Sequence, residues 1–158
     1  MVRQFNVPWL TKDGHIDFKK IPMDSLLKQA IRKDDTEFRG ACSFLRMMHM
    51  EGIEEAGICL YGLFAHNSRN MKRKEIVIHF LGDIETRESA DIMFKELRDI
   101  ESNNTTRGYI DEILKGLSKL PIEYIEEGFQ SLLNDKKWSI KMKRKFEDIL
   151  FHKKFSTV

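Results

Sequence analysis

The stretch HFLGDIETRESADIMFKELRD, residues 79–99, decides how this chain is read. An apolar-periodic segment closes in Leu81-Gly82-Asp83-Ile84, and a short polar break, Glu85-Thr86-Arg87, follows. A second helical pattern then opens, with Ile92, Met93 and Leu97 on one face. Two short helices joined by so tight a break rarely bury both apolar faces alone. They bury them by stacking on further copies of the same unit.

Outward from this stretch, the composition agrees. Hydrophobic residues make up 41% of the 158, aromatic residues 10% and charged residues 33%. That supplies a core and a large solvated surface, as in a helical protein, and argues against an all-β domain. The 3 prolines are sparse, and Pro8 and Pro22 precede the periodic part. A net charge of +2 imposes no global field on the choice of partner. Met1-Val2-Arg3-Gln4-Phe5 lacks the apolar run of a signal peptide, and no apolar stretch reaches the length of a membrane span. The expectation is a cytoplasmic protein with reduced Cys42 and Cys59, no membrane contact, no metal and no cofactor.

Residues 1–22 form an N-terminal arm. Asp13-Gly14 between short alternating runs signals a hairpin, with an irregular extended arm as the alternative. Trp9, Phe18 and Ile21 are its groups for packing on the first helix. Residues 23–158 read as a single helical repeat domain. Asp24 or Ser25 caps the first helix, and Leu26, Leu27, Ala30 and Ile31 form its stripe. Asp35 or Thr36 caps the second, which carries Phe38, Ala41, Cys42, Leu45 and Met48. Helices follow over 53–66, with Ile58, Leu60, Leu63 and Phe64, and over 71–84 and 88–100. Thr105 caps a helix bearing Ile110, Ile113, Leu114 and Leu117, and Pro121 sits in the first turn of the next. The last helix, 140–153, has Phe146, Ile149 and Leu150 inside.

Arg39, Arg73, Arg107 and Lys141 stand 34 residues apart, each placed by the periodicity in the first turn of a helix. Asn67, Glu101 and Asp135 keep the same spacing in the preceding loops. A fixed period of this size marks a helical solenoid. A cation in the first turn opposes the helix dipole. The loop residues are the acceptors that would offset it, as a ladder of acids and bases.

These features resemble the HEAT repeat: a loop aspartate, a basic residue opening the second helix, and a Leu-Gly-x-Ile ending. Asp135 with Lys141 matches in type, Glu101 with Arg107 is conservative, and Asn67 with Arg73 lacks the charge. Leu81-Gly82-Asp83-Ile84 matches the ending, and Leu117-Ser118-Lys119-Leu120 loses its glycine. The resemblance spans about residues 36–152. Armadillo-type repeats and a plain helical bundle share the periodicity. The resemblance implies an all-α fold: a right-handed α-α superhelix of about four stacked helix pairs, the first incomplete. Residues 1–22 would cover one end and Phe151 and Phe155 the other. It implies a scaffold that binds proteins or nucleic acid. The alkylpurine glycosylases of this fold use a Trp/Asp/Arg cluster, for which only Trp138, Arg144 and Asp148 offer a counterpart here.

No reaction motif accompanies the repeat. His79 has no His or Cys one turn away, and Cys42, His49 and Cys59 lack the tight spacing of a zinc site. Nucleophile motifs and phosphate-binding glycine loops are missing from the sequence. The expectation is a non-catalytic scaffold whose protein-binding surface is the solvent side of the second helices: Arg39, Ser43, Arg46, Glu75, His79, Asp111 and Lys115. The alternative is nucleic-acid binding through Lys72, Arg73, Lys137, Trp138, Lys141, Arg144 and Lys145. Residues 136–154 carry 8 Lys and Arg against Glu147 and Asp148, a local +6. Trp138 among them has the ring for base stacking.

Overall fold

The structure is a computed structural model and describes residues 8–156. The reading of Met1–Phe5 lies outside these residues. Every regular element among them is helical: α1 Met23–Ala30, α2 Asp35–Met50, α3 Glu54–His66, α4 Met71–Leu81, α5 Arg87–Asp99, α6 Arg107–Lys119, α7 Ile122–Asn134 and α8 Ile140–Phe155. The all-α class expected from periodicity is therefore observed. None of the helices is long and apolar enough to cross a membrane. Contacts gather into two compact units, Met1–His66 and Asn67–Val158.

In the first unit the arm closes in one antiparallel bridge between Leu10 and Ile16. Thr11 N–H donates to the His15 carbonyl at 2.8 Å, and Asp17 N–H to the Trp9 carbonyl at 2.8 Å. Gly14 takes φ +80° in the loop between, where a side chain would be strained. The turn thus spans Thr11–His15, not Asp13-Gly14 alone. A single 3-10 turn, Phe18–Lys20, follows. Phe18 meets Phe44 of α2, with ring centroids 6.3 Å apart, where packing on the first helix was expected.

Helix α1 begins two or three residues before the start that a cap at Asp24 or Ser25 implies, with Pro22 at the N-cap. Proline brings a fixed φ suited to a helix start and no N–H to satisfy. Asp34, not Asp35 or Thr36, caps α2 and accepts from the Thr36 and Glu37 N–H groups. Arg39 consequently falls in the second turn, beyond the strongest part of the helix dipole. Phe38, Ala41, Cys42 and Leu45 are fully buried between α1 and α3. Ile58 points to solvent at 64% exposure, because Ala56 and Leu60 take the inward positions of α3. Gly57 leaves room for His49, whose Nδ1 lies 2.7 Å from where a Cβ would stand.

In the second unit α4 packs on α6, α5 on α6 and α7, and α7 on α8. Residues paired across α4 and α6 rise together along both helices, 79 with 112, 82 with 116 and 83 with 119, so the two are parallel. Helices α5 and α7 are parallel by the same criterion. Arg87 lies over the Tyr124 ring, and Phe94 meets Phe129 edge-on. Gly128 admits that packing, because a Cβ there would stand 2.4 Å from the Phe94 ring. Between α4 and α5, Glu85 takes φ +50°. Thr86 caps α5 by accepting from Ser89 N–H.

The expected ladder of loop acids and helix bases is replaced at its later rungs by local bonds. Asp135 accepts from the Lys137 N–H, and Arg107 donates to Asn104 in its own loop. Thr106 stands at the N-cap of α6, where Thr105 was expected. Its hydroxyl donates to the Glu101 carbonyl at 2.6 Å. Short polar side chains in loops bond their own backbone first, and this removes the need for a distant partner. Phe151 and Phe155 stack with centroids 4.5 Å apart but stay exposed at 60% and 64%. They project from α8 and do not close an end.

Candidate protein-binding face

Helices α4, α6 and α8 align one set of side chains on their solvent side. His79 lies on α4 beside the buried Ile78 and Phe80, and its ring stands edge-on to Phe80 at 5.1 Å. Its Nδ1 is 3.2 Å from Glu112 Oε1 on α6. The other oxygen of Glu112 lies 3.5 Å from Lys115 Nζ. Glu112 therefore joins two of the expected site residues. Sequence reasoning missed it, because it follows His79 by 33 residues, one short of the repeat. One turn on, Asp83 accepts from Lys119 at 2.7 Å. On α6, Asp111 accepts from Lys145 of α8 at 2.8 Å, and these two stand 34 apart.

Beneath this row lies a half-buried network. The Tyr109 hydroxyl donates to Glu96 at 2.8 Å, and Lys74 pairs with the same carboxylate. Lys74 Nζ also sits 5.5 Å above the Tyr109 ring. Burial, reinforced by the negative charges of Glu96 and Glu75, holds the Tyr109 hydroxyl far above its ordinary range. Tyr109 serves here as a neutral donor that fixes α6 to α5.

The helix backbones touch where glycine permits it. A Cβ on Gly82 would stand 2.7 Å from the Gly116 Cα, so α4 and α6 meet main chain to main chain. These glycines are 34 apart. The true counterpart of Gly82 is Gly116, one residue before the Leu117-Ser118 motif. The next residue in this register, 150, is leucine, and Leu150 is 92% buried. Between α6 and α8 a groove of about 430 Å³ opens, with Leu114 and Ile149 at its base and Asp111, Lys115, Lys145 and Asp148 around it. A second groove, about 270 Å³ and polar, runs between α5 and α7 past Arg87, Asp91, Arg98, Glu123 and Glu127.

The structure gathers Glu75, His79, Asp111 and Lys115 on this second-unit face. Arg39, Ser43 and Arg46 lie on α2 of the first unit, Arg39 exposed and the other two partly buried. The basic set is scattered by its own packing. Trp138 is only 3% exposed and packs edge-on against Phe146 at 5.4 Å, so its ring is unavailable to a base. Lys137 reaches back to donate to the Leu97 and Arg98 carbonyls at 3.0 and 2.8 Å, closing the C-terminus of α5. Arg73 is buried, and Lys145 is paired with Asp111. Lys72, Lys141 and Arg144 remain exposed. Among the described residues no cluster of His, Cys, Asp and Glu has a metal-holding arrangement. Cys42 is buried, and the Cys59 thiol lies 3.3 Å from the Met23 sulfur. Burial first, then Asp24 and Glu55, push the Cys59 thiol above its usual range, so it is a poor nucleophile.

Compared with protein-family models, curated proteins and solved structures, the chain matches none.

Proposed function

We propose that this chain is a non-catalytic protein-binding scaffold, and that residues 67–158 are a short HEAT-like stack presenting α4, α6 and α8 to a partner. The reading is supported above all by the parallel packing of α4 and α6 at a 34-residue offset through Gly82 and Gly116. Such stacking turns a repeated sequence into a continuous side-chain surface. The exposed row Glu75, His79, Lys115 lies on that surface.

The test compares proteins captured from the native lysate by the wild type and by a Glu75→Ala/His79→Ala/Lys115→Ala variant. A specific protein held by the wild type and lost by the variant is expected. Identical capture by both sinks this surface. The nucleic-acid reading retains Lys72, Lys141 and Arg144 but has lost its stacking residue. A mobility shift at low salt checks it, and a complex that weakens steeply with salt would revive it.

A further inference from the structure

Helix α8 carries an exposed seam. Of the large apolar side chains left exposed in the described part of residues 67–158, Met71, Ile140, Phe151 and Phe155, all but Met71 belong to α8, and Ile140 is the barest at 75%. Lys141, Arg144, Asp148, Phe151 and Phe155 follow one another at spacings of 3, 4, 3 and 4 residues. Such spacing draws one line along a helix, flanked here by Ile140, Glu147 and His152. Phe146, on the other side, packs on Phe129 of α7. The charges on the seam are ordered. Lys141 and Arg144 come first, Glu147 and Asp148 after, and all four are exposed. Among the described residues none of the four is in an ion pair, although Arg144 and Asp148 are one turn apart. The nearby Lys145 and Lys154 are already paired, with Asp111 and Glu126. Lys136 and Lys137 precede the helix, and Lys143 is half-buried. Two cations against two acids leave the seam without a net charge for a phosphate backbone or an anionic membrane.

We infer that α8 docks on α8 of a second copy of this chain, antiparallel about a two-fold axis at residue 146. At a rise of about 1.5 Å per residue, Arg144 and Asp148 lie about 3 Å on either side of that axis, Lys141 and Phe151 about 7.5 Å, Ile140 about 9 Å and Phe155 about 13.5 Å. The two-fold sets Arg144 level with the partner's Asp148, twice over, and the partner's Glu147 lies beside the same guanidinium. The two Glu147 carboxylates also approach each other, a like-charge contact that the two guanidiniums offset. Lys141 comes level with the partner's Phe151, and Ile140 enters between the partner's Phe151 and the partner's Phe155. A parallel pair would set arginine on arginine and aspartate on aspartate, and would align the helix dipoles unfavourably. The apolar contacts at the two ends supply the attraction. The central charges lose water on docking and chiefly fix orientation and register. One helix per copy makes a small interface, so the dimer dissociates on dilution. The inference stands apart from the protein-binding reading, whose tested residues lie on α4 and α6.

The test is sedimentation equilibrium of the full chain at concentrations up to about 300 μM, where a small interface is populated. The wild type should dimerise reversibly. Phe151→Ser/Phe155→Ser should weaken the dimer by about tenfold or more. All the altered positions are exposed, and circular dichroism verifies that the variants stay helical. Arg144→Asp presents acids at both central positions, and Asp148→Arg presents cations at both. Each alone should dimerise about tenfold more weakly than the wild type, and an equimolar mixture of the two should recover dimers. A wild type that stays monomeric throughout overturns the inference. So does a dimer that keeps its affinity in all three variants, or a mixture that recovers nothing. If the double serine variant unfolds, the two charge variants and their mixture decide alone.

Discussion

The seam between α4 and α6 and the seam between α6 and α8 are built on the same 34-residue offset, yet one is closed and the other open. At the first, Gly82 rests on the Gly116 backbone, and two side-chain pairs, His79 with Glu112 and Asp83 with Lys119, span the helices. At the second, Leu150 stands at the glycine's place in the repeat, and Lys145 pairs with Asp111 across the helices. At the closed seam a residue without a side chain lets the two main chains touch, and the position that follows it in the repeat carries a buried leucine instead. Close backbone approach needs a residue without a Cβ at the crossing point.

The strongest way to break this comparison is to put volume into the closed seam. Gly82→Val would drive a branched side chain into the Gly116 main chain, which cannot rotate away. Overpacking of this kind should cost about 3 kcal/mol, read as a lower urea midpoint. Gly116→Ala should cost much less, because its Cβ would meet the Met93 sulfur, the end of a flexible chain, at 2.7 Å. At the open seam Ser118→Val should change stability by less than about 0.5 kcal/mol. Equal costs at 82 and 118 would show that the seams do not differ.

Leu150→Ala sharpens the comparison from the other side. Leu150 is nearly buried, and its truncation should cost about 2 kcal/mol. Its urea midpoint should fall below that of the wild type and below that of Ser118→Val. A midpoint equal to that of Ser118→Val would show that Leu150 packs no more tightly than the groove's edge.

Much of this architecture was legible in the sequence, and the failures share a cause. Helical periodicity reports which residues turn inward, so Leu45, Met93, Ile113 and Leu117 were found in the core. Caps shifted by one to three residues; at α2, Asp34, Asp35 and Thr36 all suit the role and geometry chooses among them. Tertiary partners were not legible. Trp138 lies among lysines in sequence, but Phe146 and the reach of Lys137 over its ring bury it. Glu112 escaped notice because ion pairing follows helix faces, which tolerate a one-residue slip. Gly116 was overlooked because the Leu-Gly ending was aligned by motif and not by spacing.

The network under the face gives a pH-dependent test. Tyr109→Phe removes the hydroxyl bond to Glu96 and should cost about 1.5 kcal/mol at neutral pH. The folded protein holds the Tyr109 hydroxyl neutral well above its ordinary range, whereas the unfolded chain ionises it near pH ~10. Its contribution is therefore complete below about pH 10 and drains away as pH rises beyond that. Wild-type stability should fall more steeply than that of Tyr109→Phe between about pH 9.5 and 11.5. Parallel profiles would show that Tyr109 ionises equally in both states.

The smallest expected effects come from the ion pairs that cross each seam. Asp83 is 20% exposed and Asp111 40%, while their lysines, Lys119 and Lys145, are equally exposed at 42%. The two cations see similar solvent, so the carboxylate's surroundings decide the difference. Water around Asp111 screens its attraction for Lys145 more than water around Asp83 screens its bond to Lys119. Asp83→Asn should cost up to about 1 kcal/mol and Asp111→Asn less than about 0.5 kcal/mol. Both losses should shrink at 1 M salt, where the screening length is about 3 Å. A larger loss at Asp111 would mean that the Lys145–Asp111 pair holds α8 against α6 more firmly than its exposure implies.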